Sequence, residues 1–317
     1  MSALPKTTPA IAGTPFDLNA DDAYRRWRDE KLENHPRSAE DLLVEVGNIA
    51  DLTPAEHEAL LDRCRRANMA LYRCGTPCDD PVAVRDRLRA LARQFGMDDL
   101  ENHRSAAEDG LVALEVVDQG GRHGFIPYTN RAINWHTDGY YNPPEAPIRA
   151  MVLHCVRPAA SGGINGVLDT EIAYIRLRDK DPELVAALMH PEAMTIPAHV
   201  EDNGRERATA AGPVFAFDPV TGTLLTRYTA RKRNVVWRDD AATAAAVAAL
   251  HELFDGDEPF LFHHRLAAGE GLLCNNVLHD RSGFEDDSDP KKTRLYFRAR
   301  YINRIAGSLP ASLSVPA

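Results

Sequence analysis

Three residues in this 317-residue chain could do chemistry together: His136 and Asp138, two apart in Trp135-His136-Thr137-Asp138, and the distant His279 in Asn275-Asn276-Val277-Leu278-His279. Two histidines and one carboxylate on a triangular face leave half of an octahedral metal open. That ligand set suits ferrous iron that must also hold oxygen and an organic ligand. Arg294 follows His279 by 15 residues, across an acidic, turn-rich loop. A guanidinium makes a forked pair with a carboxylate, so an arginine there suits a dicarboxylate co-substrate such as 2-oxoglutarate.

Some element must bring these residues together. On an extended strand, residues i and i+2 point to one side, so a strand through His136 and Asp138 would aim both at one metal. His279 closes an apolar run that begins at Gly271. Arg294 opens Arg-Leu-Tyr-Phe-Arg-Ala-Arg-Tyr, in which residues 294, 296, 298 and 300 share a face. Three arginines facing inward need an anion or an acidic partner. One reading gives Arg298 and Arg300 to an anionic substrate; another pairs them with acidic residues such as Glu285 or Asp286, where they would only stabilise the loop. The pairs His190/Glu192 and His199/Glu201 read as a helix end and a polar loop, not as ligands. His154 reads as a packed strand histidine, His263 and His264 as surface residues, and His123 as a loop residue.

Turn signals and β-branched or aromatic runs predict strands at 111–117, 148–156, 213–217, 224–228, 234–237, 260–263, 272–274 and 294–302. Helices are expected from Asp169, from Pro182 and over 240–254. Residues 21–100 read mostly helical, with a capping box at Thr53-Pro54-Ala55-Glu56 and a second helix after Asp80-Pro81 that ends at Gly96. The expected organisation is a flexible arm over 1–20, a helical region over 21–104, a β core over 105–303 and a tail over 304–317. The fold class is mainly β with helices (α+β), with a closed or double-sheet core.

The net charge of −10 and pI of about 5.6 argue against nucleic acid or an anionic membrane as the main partner. A small-molecule substrate is expected instead. The start of the chain has no apolar core of signal-peptide length, and no run is long enough to span a membrane. Together with five cysteines, an odd count, this predicts reduced thiols and a cytoplasmic location. Cys74 and Cys78 read as loop thiols.

Over roughly residues 105–303 the chain resembles the taurine dioxygenase / γ-butyrobetaine hydroxylase group of iron(II)/2-oxoglutarate oxygenases. The likeness runs in order through YTNRAINWHTDGYY, LHCVRPAASGG, a helix, GLLCNNVLHDRSGF and RLYFRARY. It implies a double-stranded β-helix (jelly-roll) core, with His136, Asp138 and His279 as iron ligands. It also implies Arg294 as partner of the distal carboxylate of 2-oxoglutarate, with O2 as oxidant and succinate and CO2 as products. Asn165 stands near the place of a threonine that touches that carboxylate in the taurine branch. Tyr128, eight residues before His136, matches a tyrosine of the betaine branch. Arg300 falls where that branch has another cage tyrosine, and the branch's small zinc module is missing, so a betaine substrate is not carried over. The substrate wall is expected to include Tyr128, Trp135, Tyr140, Tyr141, Arg298 and Arg300. The group is often dimeric or higher, so a homo-oligomer is an expectation. An intact Asp138 favours hydroxylation over halogenation. Desaturation, C–X cleavage or ring chemistry with the same cofactors, a metal hydrolase, and a non-catalytic jelly-roll protein are the competing readings.

Overall fold

A computed structural model of the chain describes residues 11–101, 109–117, 125–200 and 206–313. Two antiparallel-rich sheets face each other. The larger contains β1 (Leu43–Val46), β2 (Met69–Cys74), β3 (Val112–Leu114), β5 (Ala150–Arg157), β8 (Glu270–Cys274) and β10 (Leu295–Tyr301), in the order β1-β2-β8-β5-β10-β3. The smaller contains β4 (Ile133–His136), β6 (Asn165–Leu168), β7 (Leu261–His264) and β9 (Leu278–Arg281), in the order β7-β6-β9-β4. Shorter strands pair outside these two sheets. The non-sequential strand order is that of a jelly roll.

The central strands of the large sheet are buried on both faces, and side-chain alternation divides them. In β10, Tyr296 joins the core between the sheets, with Arg298 and Arg300 on the same face. Leu295, Phe297, Ala299 and Tyr301 join a second core behind the sheet. In β5, Met151, Leu153 and Cys155 face inward, while Ala150, Val152 and Val156 face the second core. His154 shares that outer face, where its Nδ1 lies 3.0 Å from Tyr72 Oη.

Helices cover the outer face. The helix α3 (Pro54–Ala67) starts at the Thr53 capping box: Thr53 Oγ1 accepts from the Glu56 amide and Glu56 accepts from the Thr53 amide. Its Leu60, Leu61, Cys64 and Ala67 are buried at helical spacing against the sheet. The helix α4 (Pro81–Gln94) buries Val84, Leu88, Leu91 and Ala92 in the same core. Residues 21–100 are less helical than expected. β1 and β2 pair in parallel there and extend the large sheet through β2 against β8. Their short alternating runs, Leu-Val-Glu-Val and Met-Ala-Leu-Tyr-Arg-Cys, carry the strand signal.

Of the arm expected at 1–20, residues 1–10 lie outside the described residues. Residues 11–20 are packed: Phe16 is fully buried against Trp27 and Tyr174, at ring distances of 5.2 and 5.7 Å. Arg178 fastens this segment by donating to the carbonyls of Pro15 and Asp17. A buried ion cluster fixes α1 (Asp21–Asn34), which the short α2 (Ala39–Leu42) follows, to the start of α5 (Thr170–Lys180), which runs on into α6 (Pro182–Leu188). Lys31 Nζ lies 2.6 Å from Asp169 and 2.5 Å from Glu171. Asp169 also accepts from Asn68 at the end of α3. Burial alone would raise the Asp169 pKa, but the Lys31 ammonium and His35 outweigh it and hold the carboxyl well below its usual range. At the C-terminus, Ile305 and Ser308 are buried, and Arg304 donates to Asn68, so the start of the expected tail is part of the packed structure.

Phe16→Ala should therefore cost about 3–5 kcal/mol of stability, as for a large buried aromatic. Urea unfolding checks this. A change within about 0.5 kcal/mol, typical of a surface site, would show that residues 11–20 are not part of the folded unit.

Candidate active site

His136 ends β4 and His279 lies in β9, and the two are directly opposite in the antiparallel register. Their ring centroids are 4.2 Å apart. In each residue Nδ1 lies 2.9 Å from a carbonyl two residues earlier, that of Asn134 for His136 and that of Val277 for His279. A nitrogen facing a carbonyl must carry the proton, so Nε2 is left with its lone pair. Burial pushes the His136 pKa down to about 3, helped by the neighbouring His279, and this keeps the ring neutral.

Asp138 arrives by a different route from the one expected. The strand ends at His136; Thr137 continues the ladder by donating its amide to Tyr228, and the chain then turns. Gly139 takes a positive φ of 70°, and a Cβ there would lie 2.5 Å from Ile148. Asn276, itself left-handed at φ 51°, holds the turn. Its Oδ1 accepts from the Asp138 amide at 2.8 Å, and its Nδ2 donates to the carbonyls of Asp138 and Ile148 at 3.0 and 2.8 Å. One side chain thus ties the Asp138 turn to the run leading into His279. No local pattern marks Asn276 as a clamp; its place just before His279 is the signal the sequence offers.

The ligating atoms of His136, Asp138 and His279 all lie within 4.8 Å of one another. Asp138 Oδ1 accepts from Arg298 Nη1 at 2.9 Å and from Arg300 Nη1 at 3.5 Å. Oδ2 is buried with no hydrogen-bond partner among the described residues. Burial would raise this carboxyl, but Arg298 and Arg300 hold it well below the usual carboxylate range. Two histidine Nε2 atoms and one carboxylate oxygen converging on a point fit a divalent iron, so these three residues could hold it.

The two inner arginines of β10 are not equivalent. Arg300 pairs with Glu101 as well as Asp138, and donates to Tyr141 Oη at 2.9 Å. Among the described residues Arg298 has only Asp138 as acidic partner, and its Nε has no hydrogen-bond partner there. Neither pairs with Glu285 or Asp286. Asp286 instead accepts from the backbone amide of Arg294 at 2.7 Å. Glu101 was missed by the sequence reading because it lies beyond the helical segments and outside any motif.

Arg294, expected to open this strand, lies one residue before the observed start of β10. It is 3 % exposed, and its guanidinium lies 3.9 Å from the Tyr296 ring centroid and 5.0 Å from that of Phe284. Its Nη1 donates to the Leu114 carbonyl at 3.5 Å, and its Nε has no hydrogen-bond partner among the described residues. Burial pushes its pKa down. Asn165, on β6, donates weakly to the His264 carbonyl at 3.5 Å.

The aromatic residues divide. Tyr128 is buried in a short 3-10 turn, Ile126–Tyr128. Tyr140 stands edge-on to His136 at 6.3 Å and accepts a hydrogen bond from Arg231 at 2.7 Å. Trp135 stacks on Phe254 of α7 (Ala241–Asp255) at 4.9 Å. As the neighbour of His136 on a strand, it points to the opposite side. A cleft walled by Pro143, Pro144, Pro147, Val214, Ala216 and Arg227 opens beside Asp138. His190 Nδ1 accepts from the Glu192 amide at 3.1 Å. His123 and Glu201 lie outside the described residues.

With this geometry in hand, comparison with known proteins places the chain. Residues 79–300 match the model of the taurine catabolism dioxygenase TauD, TfdA family. The chain belongs to this family of iron(II)/2-oxoglutarate-dependent dioxygenases. Among curated proteins it is similar to a uridine-5'-phosphate dioxygenase of an Amycolatopsis species, at 30% identity over 50% of this chain and 57% of that protein. A uridine-5'-phosphate dioxygenase of a Streptomyces species is also 30% identical, over 62% of this chain and 70% of the relative. The chain thus matches little more than half the length of the first of these. Among solved structures, the non-heme iron oxygenase OrfP in complex with Fe and alpha-ketoglutaric acid superposes with a TM-score of 0.57 at 15% identity, covering 95% of this chain and 97% of that one. An asparagine oxygenase in complex with Fe(II), 2S,3S-3-hydroxyasparagine and succinate gives 0.54 at 17% identity, over 80% and 85%. These likenesses show the jelly-roll fold. Among the described residues no helix is long and apolar enough to cross a membrane.

His136→Ala, Asp138→Ala and His279→Ala should each abolish tight iron(II) binding while the far-ultraviolet circular dichroism stays that of the parent. Asn276→Ala should weaken iron binding less, because it removes the clamp and leaves the ligands. Stoichiometric iron retained by all three ligand variants after dialysis would refute the assignment.

Proposed function

We propose that this chain hydroxylates a small polar metabolite that carries an anionic group, with His136, Asp138 and His279 as iron ligands. One observation carries the reading. The two facing sheets hold a His–Asp–His cluster with a bare carboxylate oxygen and, beyond it, Arg294, a buried cation with no acidic partner among the described residues. A hydrolase needs the first and has no use for the second. Iron(II), 2-oxoglutarate and O2 together supply the oxidising power, and succinate and CO2 leave.

The chain's own residues bind and orient. Arg294 offers its fork to the distal carboxylate of 2-oxoglutarate. Asn165, on β6 of the smaller sheet, is the candidate second donor. On the other side of the cluster, Glu101 and Asp138 compensate Arg300, while Arg298 shares Asp138 alone. When Asp138 gives its charge to a metal, Arg298 is the cation left to meet a substrate anion. Tyr128, Tyr140 and Tyr141 supply the wall. Trp135 then acts through packing against α7. The similar curated proteins are named for uridine-5'-phosphate, so a phosphate monoester is the first anion to test. Hydroxylation at the carbon that bears the ester oxygen would be followed by loss of phosphate. Free phosphate among the products therefore separates C–O cleavage from simple hydroxylation.

Arg294→Ala should weaken 2-oxoglutarate binding by about 3–5 kcal/mol, the cost of breaking a buried pair, with iron binding little changed. Arg294→Lys should recover only part, since an ammonium cannot form the fork. The substrate assignment is tested on enzyme held anaerobically with iron(II) and 2-oxoglutarate. Uridine-5'-phosphate and uridine are each added, and the absorbance change at the metal is followed. Arg298→Ala should weaken the phosphate compound selectively, whereas Arg300→Ala should weaken iron binding as well. If neutral compounds bind best and Arg298→Ala changes nothing, the anionic substrate is wrong.

A further inference from the structure

Arg281 lies two residues past His279 on β9 and is 4 % exposed. Its guanidinium sits 4.8 Å from the centroid of the Phe284 ring, the same ring that Arg294 approaches at 5.0 Å. Its Nη2 donates to the carbonyls of Thr129, at 2.9 Å, and Arg131, in the loop that enters β4. Among the described residues its Nε has no hydrogen-bond partner, nor has that of Arg294. Among the described residues no ion pair involves either side chain.

Two buried guanidinium groups on one ring repel each other, and burying charge without an anion is costly. A fold keeps such a pair when a bound anion repays it. Backbone carbonyls and an aromatic face satisfy part of the Arg281 guanidinium, but neither carries a full negative charge. We propose that Arg281 is a second cation for the distal carboxylate of 2-oxoglutarate, a positioning residue that selects a dicarboxylate oxo-acid over a monocarboxylate one. This rests on the reading that Arg294 receives that carboxylate. It also explains why Arg281 anchors the loop before β4. The residue that senses the co-substrate tail thereby holds the strand that carries His136.

The test compares 2-oxoglutarate with pyruvate, which has the same oxo-acid end and no distal carboxylate. Binding of each to manganese(II)-loaded enzyme is measured by calorimetry for the parent, Arg281→Gln, Arg281→Lys and Arg294→Gln. Arg281→Gln should weaken 2-oxoglutarate by about tenfold or more, the scale of one lost charge interaction, and leave pyruvate unchanged. Arg281→Lys, which keeps the charge, should lie between. Should Arg281→Gln fail to fold, Arg281→Met, which keeps an apolar stem against Phe284, takes its place. Equal weakening of both oxo-acids would assign Arg281 to the loop alone and overturn the proposal, as would no change in either. If Arg294→Gln loses the preference for 2-oxoglutarate while Arg281→Gln keeps it, the Arg294 reading stands and this inference fails. If Arg294→Gln keeps the preference, the underlying reading fails.

Discussion

A single buried carboxylate, that of Asp138, sets the terms for the centre of this molecule. A charged oxygen pair inside a protein must be met by cations or hydrogen-bond donors, or the group takes up a proton. Here Arg298 and Arg300 meet one oxygen, and the other is left bare toward the two histidines. Glu101 in turn answers the surplus charge of Arg300. The backbone of the same residue is secured separately, by both ends of the Asn276 amide. Side-chain charge and backbone position are thus fixed by different partners, and the bare oxygen is held in place by both.

That arrangement depends on the large sheet having two inner faces. β10 sends Arg298 and Arg300 toward Asp138 only because Leu295, Phe297, Ala299 and Tyr301 have somewhere apolar to go on the other side. The N-terminal helices provide it. α3 and α4, with β1 and β2 at the sheet's edge, are therefore part of what aims the arginines. The ordered segment around Phe16 and the Lys31–Asp169–Glu171 cluster do the same for α5, which caps the other end of the inner core.

The two ends of the site differ in charge balance. Around Asp138 the arginines are matched by carboxylates, so that region is near neutral before anything binds. Around Phe284 the two arginines meet backbone carbonyls and rings, and among the described residues neither guanidinium makes an ion pair. An oxo-acid with a charged tail would enter that end. The other end has a cation to spare only when a metal has claimed Asp138. Such an order of charge compensation gives a physical reason for a co-substrate to bind before a substrate.

Much of this was legible in the chain itself. The chemistry followed from residue types: a His-x-Asp pair, a distant histidine after an apolar run, and an arginine at the head of an alternating strand. Capping residues marked α3, α4 and α7, because caps act within three or four residues and need no tertiary contact. The alternation of β10 gave its faces, since strand geometry is local. What lay beyond reach were the partners. Nothing near residue 101 says that Glu101 will meet Arg300, and nothing near residue 16 says that Phe16 will be enclosed. The turn that places Asp138 was read as strand, because Asn276, the residue that bends it, is 138 positions away. Whether Arg298 and Arg300 would meet an anion or each other's acids was likewise decided by packing. Sequence determines which groups exist and which way a local element turns them. Only the folded chain decides which charges are compensated from within and which are left for a ligand, because that balance is set by groups brought together from distant parts of the chain.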